Sequence, residues 1–598
     1  MRAPLMARTP SNLVGWRGTL IRGLILAALL GPALAGAGVL GGVNAMPPLK
    51  PGAPERTEVL FSVRFPRPDA MEIAKAFGAT RTVWHYATEP RFVKQLQSVV
   101  SRNGLAMNAS SPLSDPATWV LDFDGKALSA PWMQTWGVHW VATTHQASRE
   151  AAAREVARLV GLGADTLQFD DPTLQYFAGL YQAGDFNPAT QRGFRIWLDD
   201  NVPQAERTRL GLDTLDDDYR DWLRRQYKIN DAADYRRRFR DLPSTALWLR
   251  YLRATVSEYF TWLKKEAATV AGRPIPLSMN LSVLTEPAER NPHYFLLDAA
   301  DFAMSESSIT DRARLVSQWA VARAAGLGSA PSILPGTLAE NRTAIAHLYA
   351  LGATPLVPWD TYVGNDSQGR PQRYFGTPEN YADLFHFVRS NPDLHRGTEM
   401  SPTVGVVVPV DENEHLRVRA FLKRLDLRQI PYRFVLLTAM GLPAGDAQRL
   451  RALDHLWLVG SVDRLSPAVR DALGAEAVAR MREDRLIDDE DLNRARPILV
   501  ASGQASIRLV PRVDPARADR LLMHLIDESR ASQQGVESGC RNQIELRATA
   551  LDGQQPVDAW VTQLGGIKQR AQVERSATSH TVSIEGCGFW TIVDLRLR

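Results

Sequence analysis

From residue 58 to 393, short runs of apolar and alternating residues are separated by longer stretches with helical periodicity. The runs are "VLFSVRF", "RTVWHYA", "GLAMNAS", "DTLQFDD", "IPLSMNLS", "DFAMSES", "SAPSILP" and "TPLVPWD". Between them lie patterns such as "SREAAAREVARLVGLG" and "DRARLVSQWAVARAAGLG", the second closing on glycine as a helix C-terminus does. Eight strands alternating with helices predict an α/β fold, a (β/α)8 TIM barrel whose working face is the C-terminal end of the strands. The long excursion after the fourth strand, with "FNPATQRGFRIWLDDNV" and "STALWLRYLRATVSEYFTWLKKEAATVAG", is placed to wall that face. Residues 402–498 read as a second α/β unit. Residues 499–598 turn β-rich and read as a β-sandwich. The acidic "DENEHL" after the strand "TVGVVVPV" disfavours phosphate, so the second unit reads as structural.

Strand periodicity assigns faces, because the outside of a barrel strand packs on helices and takes large apolar groups. Leu167 and Phe169 then face outward, leaving Gln168 and Asp170 inside. By the same test Ser62 and Arg64 point inward from the first strand, Asn108 from the third, and Ser278 and Asn280 from the fifth. A barrel filled for stability alone prefers branched apolar residues, so this convergence of polar groups marks a ligand or catalytic site. Trp84, His85 and Tyr86 end the second strand, Trp132 and Trp136 follow the third, and Trp359 ends the eighth. Aromatic faces beside amides and carboxylates suit a polyhydroxylated ring, apolar on its C–H face and polar at its rim. The expected substrate is therefore a carbohydrate, contacted by Arg64, Trp84, His85, Asn108, Trp132, Gln168, Asn280 and Trp359.

Glycosidic cleavage needs two carboxyl groups. Asp170 is the first. Glu306 is the preferred partner, although it shares strand parity with Phe302 and Met304, which should face outward. Asp360 is the second choice. Asp171 is also a catalytic candidate, although loop support is its commoner role, and Asp122 and Asp124 in "DFDG" read as turn residues.

Composition changes the picture at the two ends of the chain. The net charge of +4 carries no basic block, which argues against nucleic acid as a partner. Arg2, Arg8, Arg17 and Arg22 precede "GLILAALLGPALAGAGVLGG", with small residues at Ala33–Ala35 and again ending at Ala45. That is an export signal over residues 1–45, and the expected location is periplasmic or secreted; an uncleaved anchor in the inner membrane is the alternative. The two cysteines, Cys540 and Cys587, are expected to form one disulfide. His85, His139 and His145 sit on separate segments, so no metal site is expected, and no cofactor is implied. His293 and His347 read as structural.

The junction "GADTLQFDDP", with "FNPATQRGFRIWL" and the helix from "LWLRYLRATVSEYF", resembles glycoside-hydrolase barrels, most of all the family 42 β-galactosidase-like and related secreted groups. The resemblance implies a flavodoxin-like α/β domain after the barrel and then a C-terminal β-domain. One departure matters. Family 42 enzymes end the fourth strand with Asn-Glu, whereas Asp170-Asp171 stand here. An inward aspartate on that strand is more similar to retaining enzymes of the α-amylase and α-galactosidase type, in which it is the nucleophile. The expected function is an exported glycoside hydrolase, with Asp170 as nucleophile or base and Glu306 as acid/base. A non-catalytic carbohydrate-binding or exopolysaccharide-assembly protein is the alternative.

Overall fold

A computed structural model describes residues 46–598 except 111–114, 217, 283–292, 310, 409–414, 438–441, 443–444, 497, 501–505, 534 and 552. The N-terminal segment read as an export signal lies outside the described residues, as does most of "DENEHL".

Seven strands form one parallel sheet in sequence order: β1 (Leu60–Val63), β2 (Arg81–His85), β3 (Arg102–Asn108), β4 (Thr166–Asp170), β5 (Leu277–Asn280), β6 (Phe302–Ser308) and β7 (Gly328–Leu334). The predicted eighth strand, "TPLVPWD", does not form as a strand. Pro355 and Pro358 remove two ladder donors. What remains is a single parallel bridge between Leu60 and Leu356. It suffices to close the ring, because Leu356 N donates to Pro331 O at 3.0 Å on one side and Val357 N to Leu60 O at 2.8 Å on the other. The chain then rises into a hairpin, β8 (Thr361–Asn365) and β9 (Pro371–Tyr374), above the barrel mouth.

The outward residues of β1, β3, β4 and β5 (Phe61, Leu105, Met107, Leu167, Phe169, Leu277 and Met279) join the large core shared with the surrounding helices. A separate cluster of Leu60, Val83, Trp84, Ala106, Phe302, Met304, Ala330 and Leu356 fills the barrel interior. Phe302 and Met304 therefore face inward, against the sequence expectation, and this turns Glu306 inward as well. The outer side of β6 is covered by the helix Arg312–Ala324, which is buried along nearly its whole length. It is sandwiched between the barrel and a second sheet, packing on the strand Tyr432–Leu436 and the helix His415–Leu427.

That second sheet is parallel, with the order Tyr432–Leu436, Val404–Val408, His455–Leu458, Arg482–Glu483. The C-terminal region forms two antiparallel sheets of six and four strands over a shared apolar core. Cys540 and Cys587 are disulfide-bonded, tying Val536–Arg547 to Ser579–Gly588. The edge strand Glu399–Met400 joins the six-stranded sheet directly after the last barrel helix. Among the described residues no helix is long and apolar enough to cross a membrane.

Glu399 pins the barrel to the C-terminal sheets. It pairs with Arg56 at 2.7 Å and Arg323 at 3.1 Å, and the fully buried Arg512 donates to Ala350 O at 2.7 Å beside it. Burial pushes the Glu399 carboxyl up, but Arg56, Arg323 and Arg512 outweigh burial and hold it at about 2. A carboxyl depressed in the folded state contributes stability above its ordinary value of 4.5, and that stability is lost as pH falls toward 2. A shift of this size corresponds to about 3 kcal/mol. Glu399→Gln should lower the thermal unfolding midpoint at pH 7, with the gap to the wild type closing as pH drops from 4.5 toward 2.

Candidate active site

Above the apolar plug the strand ends turn polar. Asp170 closes β4, and its carboxylate accepts hydrogen bonds from Tyr86 Oη at 3.0 Å and Asn280 Nδ2 at 2.9 Å. Asn280 is fixed in turn, because its Oδ1 accepts from Ser282 Oγ at 2.6 Å. The next residue should point to the opposite face of the strand. Asp171 instead takes a left-handed backbone, with φ of 50°, and its carboxyl swings into the same pocket. Aspartate tolerates this region better than most side chains, at a cost of about 1 kcal/mol. Asn108 Nδ2 at 2.8 Å and Trp132 Nε1 at 3.0 Å hold it there.

Glu306 enters from β6, two strands away. Its backbone N–H donates to Ser282 Oγ at 3.3 Å, and its carboxyl lies 3.7 Å from Arg64 Nη2. Asp170 follows Phe169, the partner of Met279, and Asn280 pairs with Met304, so Glu306 stands two strands across from Asp170 and two residues further toward the mouth. Enclosure in the barrel mouth first, and then the charge of Asp170, push Glu306 above the usual carboxyl range, while Arg64 and Arg373 pull the other way. Asp171 is raised too, by burial, then by Asp170, against the hydrogen bonds of Asn108 and Trp132.

The other side of the mouth is basic. Arg64 lays its guanidinium 4.4 Å from the Trp84 ring. Asp360, the second-choice partner carboxylate, is buried beneath the rim and away from the pocket lining. It accepts the backbone N–H of Arg64 and pairs with Arg373 at 3.4 Å. Asp360 is thus a strut for the hairpin, because its own left-handed turn (φ 52°) aims the carboxylate back at β1.

Of the sequence-predicted contacts, Arg64, Asn108, Trp132 and Asn280 line the pocket with Asp170, Asp171 and Glu306. Four do not. A register shift in β2 puts Trp84, at φ 47°, inside the barrel under Arg64. The same shift sends His85 outward, where Nδ1 meets Asn103 Oδ1 at 3.3 Å and burial lowers its pKa to about 4. Gln168 lies in the interior, accepting from Trp84 N at 2.6 Å. Trp359 packs between Phe61 and Phe375 as core. Asp122 is the predicted turn residue, its Oδ1 accepting from Asp124 N at 2.9 Å.

The pocket encloses about 730 Å³. Phe177 and Tyr181, on the helix Leu174–Gln182, complete an aromatic wall with Trp132 and Trp136, so the excursion after β4 contributes to the mouth. Phe65, Tyr362 and Arg373 form the opposite wall, and His293, read from the sequence as structural, also lines the cavity. Tyr362 and Arg373 are not among the sequence-predicted contacts; they ride on the hairpin within "TYVGNDSQGRPQRY", whose signal is alternating residues around a polar, glycine-containing turn. Among the described residues no group of three or more histidine, cysteine or acidic side chains is placed to hold a metal.

The fold is that of a glycoside-hydrolase-type α/β barrel. The chain is similar to an α-L-fucosidase isoenzyme from Paenibacillus thiaminolyticus, with a TM-score of 0.57 and 8% identity over 91% of this chain and 100% of that one. Lower similarity links it to a rhamnosidase from Novosphingobium sp. PP1Y (TM-score 0.43, 13% identity, 77% of this chain and 48% of that one). An α-amylase from H. orenii gives a TM-score of 0.38 at 9% identity, over 91% of this chain and 100% of that one. No family model and no curated protein matches the sequence.

Asp360→Asn should release Arg373 and loosen the hairpin. Limited trypsin digestion is expected to cut after Arg373 several times faster than in the wild type, with the barrel remaining intact.

Proposed function

We propose that this protein is an exported glycoside hydrolase that cleaves glycosidic bonds of a polysaccharide or oligosaccharide with two carboxyl groups. Asp170 serves as nucleophile or base and Glu306 as the acid that protonates the leaving oxygen. One observation carries this reading: of the three carboxyls in the pocket, Asp170 and Glu306 stand on separate strands and occupy different surroundings. Asp170 is held by two neutral hydrogen-bond donors, whereas Glu306 is pushed toward its protonated form by enclosure and by Asp170. The acid role requires a carboxyl that keeps its proton, and the surroundings of Glu306 favour that form. Aromatic surface around those carboxyls suits a sugar ring. Arg64 lies against Glu306 and favours the ionised form after proton transfer.

The N-terminal basic and apolar pattern, together with the disulfide, supports export to an oxidising compartment. We read the second parallel sheet as flavodoxin-like, since its order begins as that fold's does, and the C-terminal sheets as a β-sandwich. Both serve as structural support for the barrel.

The test is release of reducing ends from a panel of bacterial and plant glycans. Asp170→Asn should lower kcat on a responsive glycan by about 10²- to 10⁴-fold. Undiminished cleavage by that variant overturns the assignment, and binding without cleavage of any glycan assigns the pocket to a non-catalytic receptor. Glu306 must be protonated to act as the acid, so activity should persist toward neutral pH and fall as pH rises through its raised pKa. Glu306→Gln should remove that alkaline limb, and should cost far less on aryl glycosides whose leaving group needs no proton.

A further inference from the structure

The charges in the pocket are unevenly matched. Both guanidiniums have carboxylate neighbours, Glu306 for Arg64 and Asp360 for Arg373, and each also lies over an aromatic ring. Among the described residues, Asp170 and Asp171 have no such match. Among the described residues their side-chain donors are all neutral: Tyr86 and Asn280 for the first, Asn108 and Trp132 for the second. The leading charges acting on Asp171 among the described residues are those of Asp170 and Glu306, both of its own sign. Two adjacent carboxyls in an enclosed site repel one another, and a cation between them removes the repulsion more effectively than neutral donors do.

The space beside this pair has the chemistry of a cation site. Trp132 and Trp136 are each about half exposed, at 43% and 50%, and Tyr181 is 44% exposed. With Phe177 they form a wall of ring faces and edges next to Asp171. Aromatic faces attract an ammonium group, and do so more strongly where water is thinned. The Arg64 side chain, which lines the same pocket, is nine-tenths buried, and its Nε is enclosed without a hydrogen-bond partner. A ligand with an ammonium at one edge and hydroxyl oxygens at another meets the carboxyl pair on one side and the Arg64 side chain on the other.

We propose that the pocket takes a hexosamine with a free ammonium group, seated against Asp171 and alongside the Trp132–Trp136 wall. The substrate class is then a de-N-acetylated amino-sugar glycan. This inference rests on the reading of the pocket as the saccharide site of a hydrolase. Asp171 is its specificity residue: an N-acetyl group in that position removes the charge and places a methyl against a carboxyl. Neutral hexosyl chains leave the two carboxyls unmatched.

The experiment uses gluco- and galacto-configured hexosamine oligomers, each also chemically N-acetylated so that only the amine changes. Binding is measured by titration calorimetry and cleavage by reducing-end release. The free-amine forms should bind at least tenfold more tightly than their N-acetylated counterparts. Asp171→Asn should reduce that preference to within about twofold, and Trp136→Ala, at an exposed position away from the fold's core, should weaken amine binding about tenfold. Equal or tighter binding of the N-acetylated forms overturns the proposal, as does a preference that survives Asp171→Asn in a variant with an unchanged melting temperature. Unaltered amine binding by Trp136→Ala overturns it as well. Amine-selective binding without cleavage sustains this inference and sinks the hydrolase reading. Cleavage of neutral glycans with no amine preference does the reverse.

Discussion

The mouth of this barrel depends on one backbone turn. A β-strand presents successive side chains to opposite faces, so a pair such as Asp170-Asp171 would ordinarily be divided between interior and exterior. The left-handed conformation at Asp171 cancels that alternation and brings both carboxyls into a single cavity. The turn costs conformational energy and adds like-charge repulsion. It persists because Asn108 on β3 and Trp132 beyond it supply donors on the side to which the carboxyl is swung. The conformations at Trp84 and Asp360 follow the same logic, each placing at a strand end a group that regular geometry would direct elsewhere.

Beneath that layer the barrel is conventional. Apolar side chains from β1, β2, β3, β6 and β7 fill the interior and exclude water from the base of the polar layer. This raises the strength of every electrostatic contact above it. The polar groups form a connected series, from Ser282 through Asn280 and Asp170 to Tyr86, so the geometry of one carboxylate is set by three strand ends. Rigidity at the opposite pole comes from the cluster of Glu399 with Arg56, Arg323 and Arg512, which locks the barrel to the C-terminal sheets.

Most of the barrel was legible in the chain because its first seven strands are apolar runs spaced by helical periods. Facing was legible where both outward residues were large and apolar, as for Leu167 and Phe169. It failed for β6, where Phe302 and Met304 are equally apolar but serve as filling for the barrel, a role that parity alone does not distinguish. No facing was assigned in β2, where a register shift puts Trp84 inside and His85 outside; a bulge has no local signature in "RTVWHYA". The eighth strand was over-read, since two prolines within seven residues limit pairing. The turn at Asp171 was not legible, because a left-handed aspartate is selected by tertiary partners that lie 63 and 39 residues away.

The single bridge at Leu356 gives the barrel a seam. On one side of the pocket, the carboxyls stand on strands paired along their length, and any change there propagates through the sheet. On the other, Tyr362 and Arg373 ride on a hairpin that rises from the least-bonded stretch of the ring. Insertions or altered turns at that hairpin leave the ladder untouched. The molecule therefore separates a fixed half, which carries the reacting groups, from an adjustable half, on which a lineage is free to vary what is admitted without rebuilding what is done to it.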